Sequence, residues 1–497
     1  MIPNISLSNG SIPLLTYGLL TLILYVFYLF AIAVKRNAAI RKLGGQRAYI
    51  MCSNPITASY KVLWTIKKSS QNKIAEAYEE LYNSLPPESR HSYEHQFLPG
   101  SRTIETREPA HVKTILAGDF HSFGKGPVFH RIWSPFLGDS IFTTDGKLWH
   151  NSRGLIRPMF MTDRISDLII FDRQIRKMID LIPPSGQTVD IMDLFFRMTL
   201  DATTDFLLGE SANSLENPNS EFTFAFNDVL THQIRLFVLR IFYPFDKLAP
   251  HGDYYRDIRK IDEFVMPYVR QTLAIPPEEL EKLTKSDTEF TFLHNLARFT
   301  QDPKVIRDQL VAVLLAGRDT TAATLSWAFY ELAAYPDKVG RLRAEIIEYV
   351  GEHGTPTYET LKSMKYLRYT IQETLRLHPA VPLNDESGTH RHSLAERRDL
   401  YPPTSEKFAD PALFSPERWY SWQPRPWEYI PFNGGPRICP GQNFAMTEMA
   451  YCIVRMLQKY DRIEYRGDWH AQRDKTDVVS RPAFGVPVAF YEATTKE

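Results

Sequence analysis

Phe432-Asn433-Gly434-Gly435-Pro436-Arg437-Ile438-Cys439-Pro440-Gly441 places one cysteine in a loop whose glycines and arginine make chemical sense together if the sulfur binds a metal. A thiolate ligand to haem iron pushes electron density toward the metal and favours O–O cleavage, and the sulfur needs backbone N–H donors around it. Glycines such as Gly435 let the backbone come that close. Arg437, two residues before the sulfur, has the reach for a haem propionate. Phe432 can pack beneath such a macrocycle and limit water at the sulfur, and Gly441 would clear space where a helix starts at about Asn443. The competing reading is a buried structural cysteine, since free Cys is among the most buried residue types. The fixed positions of F-x-x-G-x-R-x-C-x-G weigh against it.

This loop resembles the haem-binding signature of the cytochrome P450 monooxygenases, and three further motifs follow in family order. Pro416-Glu417-Arg418-Trp419 is similar to the family's P-E-R-F/W segment, and Glu373-Thr374-Leu375-Arg376 to its E-x-x-R. Ala316-Gly317-Arg318-Asp319-Thr320-Thr321 resembles its oxygen-activating A/G-G-x-D/E-T-T/S. Phe136-Leu137-Gly138-Asp139, Arg157-Pro158-Met159-Phe160 and Asn433-Gly434-Gly435-Pro436 narrow the resemblance to the fungal alkane- and fatty-acid-hydroxylating branch. The resemblance spans most of the chain. It implies a mainly α fold with smaller β-sheets (α+β), haem b (iron protoporphyrin IX) as cofactor, and Cys439 as the axial ligand to iron.

Each motif also has a physical reading. Glu373 and Arg376 lie three apart on an apparent helix ending before Pro379, so they share a face, and Arg418 can join them from the later loop. An exposed pair is the alternative, common on any helix and worth little. Asp302 reads as an N-cap and Pro303 as the first turn of a helix running to Pro336, on the order of 50 Å long. Gly317 in its middle and a Thr320 hydroxyl bonded one turn back predict a local kink that makes a groove for O2 beside Ala316. Asp319 and Thr320 then serve as proton relay and proton donor to the distal oxygen, an ordinary polar face being the alternative. Upstream, Trp149 and Arg153 form W-x-x-x-R, four apart on one helical face, each able to donate to a propionate.

Length and composition agree with one large catalytic domain. The 497 residues contain no Ser/Gly linker or repeat, and 58 Lys plus Arg balance 58 Asp plus Glu, so no basic bias points to nucleic acid. Cys52, Cys439 and Cys452 fit neither a disulfide set nor a zinc spacing, which indicates a reducing compartment. Residues 12–34 form an apolar run long enough to span a bilayer, and no charged side chain precedes Lys35. Lys35, Arg36, Arg41, Lys42 and Arg47 follow with no acid before Glu76, so the positive-inside rule leaves residues 1–11 luminal, 12–34 as the anchor, 35–60 as a basic linker and 61–497 as a cytosolic domain. A cleaved signal peptide is the alternative, against which the missing n-region charge argues. Asn4-Ile5-Ser6 and Asn9-Gly10-Ser11 make Asn4 and Asn9 candidate glycosylation sites, both close to the membrane.

By resemblance, the aromatic stretch containing Phe222, Phe224, Phe226, Phe237, Phe242 and Phe245 roofs a substrate cavity and touches the membrane, core packing being the alternative for each ring. Val381 and Leu383 fall on the substrate side of the haem, and a hairpin over Arg481-Pro482-Ala483-Phe484-Gly485-Val486-Pro487 lines the cavity with Phe484. One region departs from the family. After Leu383 and Asn384 the chain continues Asp385-Glu386-Ser387-Gly388-Thr389-His390-Arg391-His392-Ser393-Leu394, polar and without strand alternation. About 15–20 residues, two strands and their turns, are missing before Glu417.

The sequence therefore predicts an endoplasmic-reticulum monooxygenase that inserts one oxygen atom of O2 into a C–H bond of a lipophilic substrate. The resemblance implies electrons from NADPH through NADPH–cytochrome P450 reductase, with cytochrome b5 as a further donor. Two alternatives stand beside it: tailoring of a fungal secondary metabolite, and a haem-binding but impaired or mis-spliced chain.

Overall fold

The structure, a computed structural model, describes residues 11–42, 48–52, 55–95, 103–160, 168–239, 251–283, 290–384, 386–388 and 410–493. Asn4, Asn9, Phe242, Phe245 and most of 385–394 lie outside the described residues. The chain divides into two units. The first draws its described residues from 11–67 and 76–112. It holds the helices α1 (Ser11–Lys42), most of α2 (Pro55–Ser70) and α3 (Ile74–Asn83), and the strands β1 (Tyr49–Cys52), β2 (Ser92–His95) and β3 (Thr103–Thr106). These strands form one sheet in sequence order, with β1 parallel to β2 and β2 antiparallel to β3.

Helix α1 differs from the expected span. It runs on past Val34 through Lys35, Arg36, Arg41 and Lys42, because no Gly or Pro occurs between Leu19 and Leu43 to stop it. The stretch read as a linker, 35–60, accordingly holds the end of α1, all of β1 and the start of α2. Within α1, Ile23–Lys42 is long and apolar enough to cross a membrane.

The second unit takes its described residues from 68–75, 113–390 and 399–497 and is mostly helical, with sheets smaller than the helical core. Past α4 (Pro109–Lys113), which falls in the first unit up to Val112, this unit runs through β4 (Phe123–Gly124), α5 (Gly126–Leu137), α6 (Gly146–Ile156), α7 (Ile169–Asp180), β5 (Thr188–Asp190), α8 (Ile191–Leu208), α9 (Glu221–Leu239) and α10 (Gly252–Leu273). Next are α11 (Pro277–Lys282), α12 (Phe292–Phe299), α13 (Pro303–Ala334), α14 (Pro336–Tyr349), α15 (Tyr358–Ser363), α16 (Lys365–Leu377) and β6 (Ser387–Gly388). The chain closes with α17 (Gln442–Lys459), β7 (Tyr460–Tyr465), β8 (Asp474–Thr476), β9 (Ser480–Pro482) and β10 (Pro487–Glu492). β10 lies antiparallel between β5 and β7, β8 pairs β9, and β4 pairs β6.

α13 is the axis of this unit. Its start is fixed as the sequence predicts, by the Asp302 carboxylate accepting from the N–H groups of Lys304 (2.8 Å) and Val305 (3.4 Å), with Pro303 in the first turn. Its neighbour α8 starts on Asp190 and ends on Gly209 in the left-handed conformation (φ 85°). Between residues 306 and 332 every side chain of α13 is buried except at Ala316, Gly317 and Thr320. The helix is continuous from Pro303 to Ala334. Gly317 serves close packing: a Cβ there would stand 2.9 Å from the Thr203 side chain of α8.

The polar stretch after Leu383 is not wholly outside a sheet. Ser387–Gly388 pairs with Phe123–Gly124, and Lys125 Nζ holds Asn384 Oδ1 (2.7 Å) and Glu386 Oε1 (2.9 Å). This two-residue ladder forms although the stretch has no strand alternation.

Candidate haem-thiolate site

The loop bearing Cys439 is closed by its own backbone. Cys439 N donates to Phe432 O (2.9 Å) and Ile438 N to Gly435 O (3.1 Å). Gly435 is forced: its φ is +62°, and a Cβ would fall 2.0 Å from Leu116 O. A Cβ on Gly434 would meet the Trp427 ring at 2.4 Å. Gly441 differs, since a Cβ there would make only ordinary contacts, 3.7 Å to the Phe160 ring and 4.0 Å to the Cys439 sulfur. Among the described residues no protein atom demands that glycine, and the space it leaves adjoins the sulfur. Phe432 is half-buried against the core. Burial pushes the Cys439 thiol up, opposed by the Gly441 N–H and the Arg153 charge. A metal cation on the sulfur is what would hold it as thiolate.

Around this loop three N–H-bearing side chains converge. Arg437 Nη2 donates to Asp145 Oδ1 at 2.6 Å, and its guanidinium lies 4.9 Å over the Trp149 ring and 5.5 Å over Phe120. Arg153 Nη1 donates to Ile438 O at 2.9 Å, one residue from the sulfur, and its guanidinium stands 5.8 Å from Trp149. Trp149 and Arg153 come from α6 and Arg437 from the loop, as their spacing predicts. Arg437 Nε is buried and has no hydrogen-bond partner among the described residues. An unmatched buried donor beside two further donors fits a haem propionate. Asp145 went unpredicted as a partner. It sits 292 residues from Arg437 in sequence and also accepts from the N–H groups of Lys125 and Gly126, both at 2.8 Å.

Glu373, fully buried at the end of α16, anchors the segment that feeds the loop. Its carboxylate accepts from Arg376 Nε (2.8 Å) and Nη2 (2.9 Å), Arg418 Nε (2.8 Å), Ser415 N (3.0 Å) and Trp419 Nε1 (3.0 Å). Burial alone would raise its pKa; the donors of Arg376, Ser415 and Arg418 outweigh burial and hold it below the usual value. The sequence predicts the two arginines. The Trp419 donor was legible only in that the P-E-R segment ends in Trp rather than Phe.

On α13, Thr320 Oγ1 donates to Ala316 O at 2.7 Å, one turn back as predicted. Asp319 is buried and paired with Arg318 Nη1 at 3.0 Å. Burial pushes the Asp319 carboxyl up, with Arg318 and Arg481 opposing.

The residues expected at a substrate cavity differ widely in burial. Phe226 is fully buried in the core, edge-on to Phe136, while Val381, Leu383 and Phe484 are about half exposed or more. The hairpin over 481–487 is a correction. The strands that pair are β8 and β9, so the tip is Asp477-Val478-Val479, and 483–486 is the connection to β10, turned by Gly485 at φ +70°.

A match to the Cytochrome P450 family covers residues 66–390 and 404–484, leaving out 391–403, which includes the end of the departing segment. The chain is similar to Cytochrome P450 monooxygenase pvhE of Talaromyces variabilis, 38% identical over 98% of this chain and 97% of that protein. It is also similar to Cytochrome P450 52A13 of Debaryomyces hansenii (36%; 75% and 78% covered) and Cytochrome P450 52A1 of Candida tropicalis (37%; 73% and 74%). The fold matches the crystal structure of the cytochrome P450DA heme domain with a TM-score of 0.72 at 20% identity, covering 90% of this chain and 98% of that one. With the cysteine loop, its converging donors and the buried Glu373 knot in place, these matches establish that the chain belongs to the cytochrome P450 family, the haem-thiolate monooxygenases.

Proposed function

We propose that this chain is a membrane-anchored monooxygenase that inserts one atom of O2 into a C–H bond of a lipophilic alkyl-chain substrate, an alkane or fatty acid. Electrons come from NADPH through NADPH–cytochrome P450 reductase, with cytochrome b5 as a further donor. The observation that carries the reading is the convergence of Arg437, Arg153 and Trp149 on the loop of Cys439. Cys439 is the iron ligand, and those three side chains hold the propionates. The haem, when bound, supplies O2 activation at an iron polarised by thiolate.

Thr320 keeps its hydroxyl on Ala316 O at rest and must rotate to pass a proton forward. Asp319, raised by burial, supplies that proton and recovers one from the polar side of α13. The alkyl-chain assignment rests on the branch resemblance and on the relatives of the 52A series. α1 is the anchor in the endoplasmic-reticulum membrane, with the basic residues at its end on the cytosolic side.

Thr320→Ala tests the proton reading. Haem content should stay unchanged while product per NADPH falls several-fold and peroxide rises. Coupling equal to wild type would mean that another group carries the proton. Spin-state shifts across a chain-length series of alkanes and fatty acids test the substrate class.

A second reading, oxidation of an alkyl tail in fungal secondary metabolism, is favoured by one fact. The relative matched over 98% of this chain, at 38% identity, is a P450 monooxygenase outside the 52A series, whereas a 52A-series relative matched over 92% of this chain is 32% identical. A third, a haem-binding chain with impaired turnover, rests on the segment 391–403 that the family match omits.

A further inference from the structure

Asp319 is held by its own neighbour in the chain. Arg318 Nη1 donates to Asp319 Oδ1 at 3.0 Å, and both side chains are buried. Residues i and i+1 do not face each other on a helix, so this contact requires that the guanidinium be pinned sideways. Three groups from the two adjacent helices pin it. Arg318 Nη2 donates to Asn227 Oδ1 on α9, and the guanidinium carbon lies 5.2 Å from each of the Phe196 (α8) and Phe226 (α9) ring centres.

The pair borders a polar cavity of about 340 Å³ bounded by α8, α9, α13 and the turn between β8 and β9. The other charged groups facing it are Arg481, Asp477, Asp190, Asp193, Arg197 and Asp228. Arg481 is paired with Asp477 (3.4 Å), and Arg197 with Asp193. A cavity this polar and this large can hold water.

We propose that Arg318, locked in place by Asn227, is a positioning residue that holds the Asp319 carboxylate toward this cavity, so that proton uptake by Asp319 depends on the placement of α9. The proposal rests on Asp319 as proton relay. It explains why Phe226 is not at a substrate surface: its ring is occupied as a wall of the Arg318 slot. Loss of Asn227 frees the guanidinium, and Asp319 loses the charge that opposes burial. Its carboxyl should then stay protonated to higher pH.

The test uses the haem-loaded full chain. The infrared carboxylic-acid band of Asp319 is isolated by subtracting the matching Asp319→Asn spectrum and titrated in the resting enzyme. Solvent deuterium isotope effects and product per NADPH are measured in parallel. Asn227→Leu should move the titration upward by roughly one pH unit, a tenfold loss of acid strength, and enlarge the isotope effect. Asn227→Gln, which keeps an amide oxygen, should recover part of both. If Leu prevents haem loading, Asn227→Ala is the smaller change and carries the same expectation. An Asp319→Asn enzyme with unchanged coupling and isotope effect would overturn the relay reading itself. If Asp319→Asn is impaired while the Asn227 variants match wild type in titration and isotope effect, the positioning role alone is overturned.

Discussion

Glu373 shows how one side chain can decide whether the haem loop is held. Five N–H groups from Arg376, Arg418, Ser415 and Trp419 converge on a carboxylate with no solvent exposure, so removing it strands two guanidiniums and an indole. Breaking a buried pair of this kind costs about 3–5 kcal/mol. Glu373→Ala should therefore lower stability by that order and reduce haem content, read from thermal melts and the pigment yield. The pH sign follows from the lowered pKa. Unfolded, the carboxyl titrates near its ordinary 4.5; folded, it titrates lower, so its contribution is present above that range and is lost as pH falls through the folded value. The two arginines were readable because i,i+3 spacing and a motif name them. Asp145 and Asn227 were not, since each meets its arginine across 292 and 91 residues of sequence and no local pattern records such a pairing.

At the scale of elements, α13 was legible from its ends. Asp302, Pro303 and Pro336 are local signals, and the helix follows them. In its interior the propensity of Gly317 suggested a kink, and close packing against Thr203 is a second reason for a glycine there, one that no local pattern records. The C-terminal hairpin lies elsewhere than predicted because Pro482 and Gly485 resemble turn residues, whereas Pro482 ends β9 and Gly485 turns the connection to β10. α17 carries a feature that composition could not expose. Glu448 on it is fully buried, neither carboxylate oxygen has a hydrogen-bond partner among the described residues, and burial pushes it up to about 8, the nearby Thr321 hydroxyl opposing. Because the folded pKa lies above the unfolded one, this group's contribution is full below about pH 4.5 and is lost as pH rises toward 8. Glu448→Gln should therefore gain stability relative to wild type between pH 5 and pH 8, on the order of a few kcal/mol, in denaturant titrations at the two pH values. A constant difference across that range would show that Glu448 ionises freely in the fold.

For the whole molecule, the family was legible because four motifs carry chemistry in fixed order, and the match over residues 66–390 and 404–484 spans them. The substrate was not, because a cavity wall is assembled from side chains such as Val381, Leu383 and Phe484 whose placement no spacing determines. The segment 391–403 is absent from the family match, and the alignment with the Talaromyces relative runs over 535 positions, more than the 497 residues here, so that relative carries residues with no counterpart in this chain. Sequencing the transcript across codons 384 to 397 separates a mis-assigned splice boundary from a genuine variant. The proposed topology predicts that protease added to sealed microsomes digests the catalytic unit, and that deleting residues 1–42 weakens membrane association. Protection by intact vesicles would reverse the orientation.

The central claim is ligation of haem iron by Cys439, and the reduced-CO difference spectrum tests it most directly. Wild-type protein should show the red-shifted band that a thiolate ligand produces, and Cys439→Ser should lose it. Retention of that band by Cys439→Ser would contradict the account.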